Sequence, residues 1–137
     1  MGNKLNYLGE NGKGTSMKMV NNLLLAQAMV AFSEGMSLGV ALGLTNEQLF
    51  NILPGGPVVA PFISAKLNNM KSESFDAEFP LKWMLKDCYL ASVTGNENNL
   101  QLDLTNTVKE IYQQAVNSGY GDKDFSSVYQ FLINNTK

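Results

Sequence analysis

The chain has 137 residues, 45% hydrophobic and 16% charged, with a formal net charge of −2. That length and balance support one domain with a buried core and exclude a disordered chain, while the acidic total and scattered lysines exclude a nucleic-acid footprint. One cysteine and no histidine exclude an internal disulfide and Ser-His or Cys-His catalysis, argue against zinc or iron sites, and fit a reducing, cytoplasmic setting.

In chain order, Met1-Gly2-Asn3-Lys4 is followed by no apolar stretch of the signal-peptide kind, and Leu5–Leu8 reads as a short extended entry. A glycine turn, Gly9-Glu10-Asn11-Gly12-Lys13-Gly14, runs into a helix expected from Thr15 or Ser16 to Leu42, with Gly43 as its stop. Leu23–Leu44 is apolar enough to resemble a membrane span, but Gln27, Ser33, Glu34 and Ser37 favour a helix buried at the centre of a bundle. Gly35, Gly39 and Gly43 recur every four residues. Interior glycines weaken a helix, so this spacing predicts a second helix crossing at close range, from this chain or another subunit.

Thr45-x-x-Gln48 forms a capping box for a short helix from Asn46 to Leu53, broken by Pro54-Gly55-Gly56-Pro57. A helix is then expected over Val58–Asn69, a loop over Met70–Glu78, and a helix over Leu81–Thr94 closed by Gly95. A polar turn over Gly95–Asn99 leads to a helix over Leu104–Asn117 stopped by Ser118-Gly119. A last helix, Phe125–Asn134, follows Asp124 as its cap. No alternating strand pattern occurs. The predicted fold is all-α, one domain of about six helices around one long central helix.

The most informative chemistry lies at the first helix start. The expected boundary puts Lys18 in the first turn, where unpaired N–H groups and the helix dipole disfavour a cation, attract anions such as a substrate carboxylate, and ease proton release. Lys18 and Asn22 are four residues apart and share a face; Asn21 is a competing amide, about 100° away. The glycines are not a dinucleotide fingerprint, because their order is G-x-x-G-x-G, nor a phosphate loop, because Lys13 precedes Gly14. Phe79 before a helix reads as a hydrophobic staple or a site residue, and Lys86-Asp87 as a surface pair or a site pair. Cys88, Trp83 and Tyr89 read as core or interface residues.

Taken together, Gly9-x-x-Gly12-x-Gly14-x-x-x-Lys18-x-x-x-Asn22 resembles the catalytic signature of the β-hydroxyacid dehydrogenases. Phe79-Pro80-Leu81 with Lys86-Asp87 resembles their cofactor segment, and Gly119-Tyr120-Gly121-Asp122-Lys123-Asp124 with Ser126-Ser127-Val128 resembles their ending. This similarity implies a C-terminal helical domain like that of 6-phosphogluconate dehydrogenase, spanning residues 1–137. The preceding Rossmann domain is missing, so the chain reads as an excised piece without activity of its own. The implied reaction interconverts a small hydroxy acid and its semialdehyde or keto acid, using NAD or NADP held mainly by the missing domain. By resemblance, Lys18 is the general acid/base; Gly12, Gly14, Asn22 and Asp87 bind substrate; Phe79 and Lys86 contact cofactor; no metal is used. The same resemblance implies a homodimer or tetramer formed through this domain, with neither nucleic acid nor membrane as partner. The competing expectation is a helical dimerisation module without chemistry.

Overall fold

The computed structural model describes residues 12–135. Six α-helices follow one another: α1 (Lys13–Ala41), α2 (Asn46–Ile52), α3 (Pro61–Ser72), α4 (Leu81–Glu97), α5 (Asp103–Ala115) and α6 (Val128–Asn134). Among the described residues there is no strand, only an isolated bridge between Pro80 and Asp124. The all-α expectation therefore holds.

Most boundaries follow from local chemistry. Gly43, at φ +94, closes α1 with a Schellman pair: Gly43 N–H donates to the Val40 carbonyl and Leu44 N–H to the Gly39 carbonyl. The Thr45/Gln48 capping box opens α2 as expected, at 3.1 and 2.9 Å. Asp124 caps the final helical stretch by accepting from Ser126 N–H.

Several boundaries differ from the sequence expectation. Helix α3 starts at Pro61 rather than Val58, because a residue before proline is driven to extended backbone, and Ala60 has ψ 140°. It runs on to Ser72, where Glu73 at φ 54° ends it inside the expected loop. Gly95 does not stop α4. A Cβ there would meet Leu102 at 2.6 Å, so the glycine permits a close approach, and Asn99 at φ 59° supplies the left-handed stop instead. Helix α5 ends at Ala115 in a π-turn, Val116–Tyr120, in which Gly119 at φ 94° makes the kink.

Helix α1 is the spine, about 43 Å long at 1.5 Å per residue, and it packs against α2, α4, α5 and α6. Its inward residues Ala26, Met29, Val30, Phe32 and Met36 join Ile63, Leu81, Met84, Val108, Tyr112 and Val128 in the core. The glycine spacing resolves unevenly. Gly39 alone makes the close crossing, on Leu49 of α2 within the same chain, whereas a Cβ on Gly35 or Gly43 would meet open space. Nor is α1 surrounded: Leu24, Leu38, Val40 and Leu42 face solvent.

A candidate half-site at the start of α1

Gly12 precedes α1 at φ +95, a conformation that favours glycine, and its carbonyl accepts from both Ser16 N–H (2.9 Å) and Ser16 Oγ (3.0 Å). Helix α1 therefore begins at Lys13, two or three residues earlier than the expected Thr15 or Ser16, and Gly14 is its second residue. Lys18 consequently stands in the second turn, so the first-turn argument for its environment falls. Among the described residues, the helix-start N–H groups without a partner belong to Lys13, Gly14 and Thr15. Gly9 lies outside the described residues.

Lys18 is exposed and, among the described residues, has no ion-pair partner. One turn on, half-buried Asn22 donates from Nδ2 to Asp87 Oδ2 at 2.8 Å, while Asn21 faces solvent. Two residues singled out 65 positions apart are thus brought into contact. Beside Asp87, Lys86 is exposed, its ammonium 5.5 Å from the centre of the Trp83 ring, and Lys82 lies over the same ring at 5.5 Å. The face made by α1 and the first turns of α4 is open. A cavity of about 410 Å³ lies elsewhere, among residues such as Phe50, Met70 and Tyr129.

Phe79 sits just outside this face. Its ring meets Phe125 edge-on at 6.3 Å, its N–H donates to Asp124 Oδ1 at 3.1 Å, and its carbonyl accepts from Phe125 N–H at 2.8 Å. Cys88 is fully buried, and burial followed by the Asp87 charge pushes its thiol up to about 12. It is a core thiol, as the sequence indicated.

What sequence reasoning missed is the support beneath α4. Lys66 is buried and donates to Asp124, 3.2 Å to Oδ1 and 3.1 Å to Oδ2. Asp124, also fully buried, accepts from Glu78 N–H, Phe79 N–H, Ser126 N–H and, at 2.5 Å, Ser126 Oγ. Burial alone would raise this carboxyl, but the bonds from Ser126, Phe79 N–H and Lys66 hold it below its ordinary 3.8. Leu81 N–H to the Lys123 carbonyl (2.8 Å) and Lys82 N–H to the Gly121 carbonyl (3.0 Å) finish the clamp. The Gly119–Asp124 segment thereby fixes the start of α4 and, two turns on, Lys86 and Asp87. A signal existed: Ile63, Lys66 and Met70 share one face of α3, so a lysine lies in an apolar stripe and must find a buried anion.

An open polar face beside a long spine helix, within an all-helical fold, is the architecture of the C-terminal half of hydroxyacid dehydrogenases. Comparison with known proteins gives the same family. The chain belongs to the family described as NAD-binding of NADP-dependent 3-hydroxyisobutyrate dehydrogenase, matched over residues 12–132. It is 35% identical over 130 residues to glyoxylate/succinic semialdehyde reductase 1 of Arabidopsis thaliana, covering 95% of this chain and 45% of that protein. It is 30% identical to the cytokine-like nuclear factor N-PAC of Xenopus tropicalis, covering 97% of this chain and 25% of that protein. Among solved structures, Mycobacterium tuberculosis 3-hydroxyisobutyrate dehydrogenase with L-serine superposes with a TM-score of 0.81 at 25% identity, over 94% of this chain and 46% of that one. The chain thus spans less than half the length of these relatives.

Proposed function

We propose that this chain is the helical half of an NAD(P)-dependent oxidoreductase that interconverts a small hydroxy acid and its semialdehyde or keto acid, with Lys18 as general acid/base. The observation that carries this reading is the Lys18/Asn22 face of α1 locked to Asp87 by the 2.8 Å bond. The exposed Lys18 ammonium and the oriented Asn22 amide stand within one turn of each other, on the helix whose first N–H groups lie at Lys13–Thr15. That surface fits an anionic cofactor arriving from a separate domain, because Lys86 presents an exposed cation beside Trp83, while Lys82, over the same ring, is paired with Asp122 at 2.6 Å.

A nicotinamide cofactor, when bound, would supply or receive the hydride at the carbon of the reacting carbonyl. Lys18 donates a proton to that carbonyl oxygen as it becomes an alkoxide, and recovers it in the oxidative direction. Asn22, its Nδ2 held by Asp87, keeps Oδ1 free for the substrate hydroxyl or the Lys18 ammonium. The N–H groups near Gly12 and Gly14 receive the substrate carboxylate. Phe79 and Lys86 meet the cofactor side. The protein works in a reducing, cytoplasmic compartment and assembles as a homodimer or tetramer through this domain.

The test is Lys18→Ala in the full-length protein, assayed with succinic semialdehyde or glyoxylate. A fall in kcat of about 10²–10⁴ is expected with cofactor affinity retained; near-normal turnover overturns the assignment. The 137-residue chain alone is expected to show no turnover, since half of the site is elsewhere. A second reading, a helical dimerisation module without chemistry, is supported by the similarity to N-PAC, which is described as a cytokine-like nuclear factor and not as a reductase. Normal turnover by the full-length protein rejects it.

A further inference from the structure

The catalytic reading leaves unused the cavity of about 410 Å³ where α2, the end of α3 and α6 meet, and none of Lys18, Asn22, Lys86 and Asp87 lines it. Small-molecule sites run from about 300 to 1,000 Å³, so its size suits a small metabolite. The floor is apolar: Phe50, Met70 and Tyr129 are buried, and the Phe50 and Tyr129 rings meet at 6.0 Å. One polar atom interrupts it. Tyr129 is 5% exposed, and its hydroxyl has no hydrogen-bond partner among the described residues. Among those residues, every side-chain polar atom sealed in the core has a partner except Ser127 Oγ. The Tyr129 oxygen is therefore not sealed, and it opens into the cavity that its residue lines. Burial, followed by the Glu73 charge, holds this hydroxyl above its ordinary 10, so it stays neutral and its oxygen is free to accept.

Both signs of charge stand at the rim. Exposed Lys71 has its ammonium 5.8 Å from the centre of the Phe50 ring, and exposed Glu47 and Glu73 bring carboxylates. None of the three makes an ion pair among the described residues. Glu73 ends α3 at φ 54°, where glycine fits with less strain, so a charged side chain is kept there against backbone preference. The amides of Asn51 and Gln130 add donors and acceptors.

We propose that this cavity binds a free α-amino acid with an apolar side chain. The side chain rests on Phe50, Met70 and Ile133, Glu73 and the Tyr129 oxygen accept from the ammonium, and Lys71 receives the carboxylate. One cation, two anions and an apolar floor select this class over simpler ones. A dicarboxylate or a phosphate would face two carboxylates with a single cation, and a plain amine would leave Lys71 without a partner. A hydrocarbon would leave the Tyr129 hydroxyl buried and unbonded, which an incoming ammonium corrects. The site is separate from the half-site at the start of α1 and does not depend on Lys18 chemistry.

Isothermal titration calorimetry on the whole 137-residue chain tests it, with L-leucine, 4-methylpentanoate and 3-methylbutylamine as probes. L-leucine is expected to bind with a Kd of about 0.1–1 mM, within reach of a ligand of about nine heavy atoms. Each of the other two probes lacks one charge and should bind at least tenfold more weakly. Tyr129→Phe and Glu73→Gly should each weaken L-leucine binding at least fivefold, with an unchanged or higher melting temperature. The first removes an unpartnered hydroxyl and the second relieves a left-handed φ, whereas a purely structural role for either residue would lower the melting temperature. No binding of L-leucine up to 10 mM overturns the proposal, as does equal affinity for all three probes. L-leucine binding that both substitutions leave unchanged places the ligand elsewhere and overturns it too.

Discussion

Two lysine-centred clusters in this domain use similar groups to opposite ends. Around Asp124, the central charges are buried and saturated: Lys66, Ser126 and two backbone N–H groups from 78–79 close on one carboxylate, with exposed Glu78 3.7 Å from Lys66 at the rim. Around Lys18, only the Asn22–Asp87 bond is made, and the ammonium stands in solvent. A saturated buried carboxylate has no valence left for a ligand, and exchanging its partners is costly. An open face with one locked amide and a free ammonium retains its capacity for an incoming molecule. The first cluster sets where α4 begins; the second uses what α4 then presents.

If that division holds, substitutions should separate stability from turnover. The largest stability loss is expected for Asp124→Ala, about 3–5 kcal/mol in urea unfolding, because buried Lys66 is left with only the exposed Glu78 carboxylate at 3.7 Å. Lys18→Ala should leave the urea midpoint unchanged while removing turnover in the full-length protein; a Lys18→Ala midpoint as low as that of Asp124→Ala would break the comparison. Acid should find the same cluster. The folded Asp124 carboxyl titrates below its ordinary 3.8, so its contribution is fully present above that value and is lost as pH falls through the lower folded value. Asp124→Asn should therefore flatten the acid limb of stability below about pH 4.

A smaller effect is expected from Asn22→Ala: turnover down by about 10–100-fold at a stability cost of about 1 kcal/mol, the worth of one half-buried hydrogen bond. A stability loss without a turnover loss would move the Asn22–Asp87 pair into the structural class. The smallest effect belongs to Gly12→Ala, about 1 kcal/mol by thermal unfolding, because the helix entry requires φ +95.

Local chemistry determined much of this molecule from the sequence. Gly43 stops α1, Thr45 and Gln48 box the start of α2, and Asp124 caps the last helical stretch, because each feature needs only residues within one turn. Helix periodicity likewise placed Lys18 and Asn22 on one face before any coordinates. Three decisions belonged to the tertiary structure. Gly95 is a packing contact rather than a stop because Leu102 crosses it. Lys66 is buried because Asp124, 58 residues on, neutralises it. Of Asn21 and Asn22, only the second reaches Asp87, because α4 packs on that side of α1. The same packing left Leu38 and Leu42 in solvent. Each outcome turns on which distant segment arrives at a residue, and spacing along one helix does not carry that information.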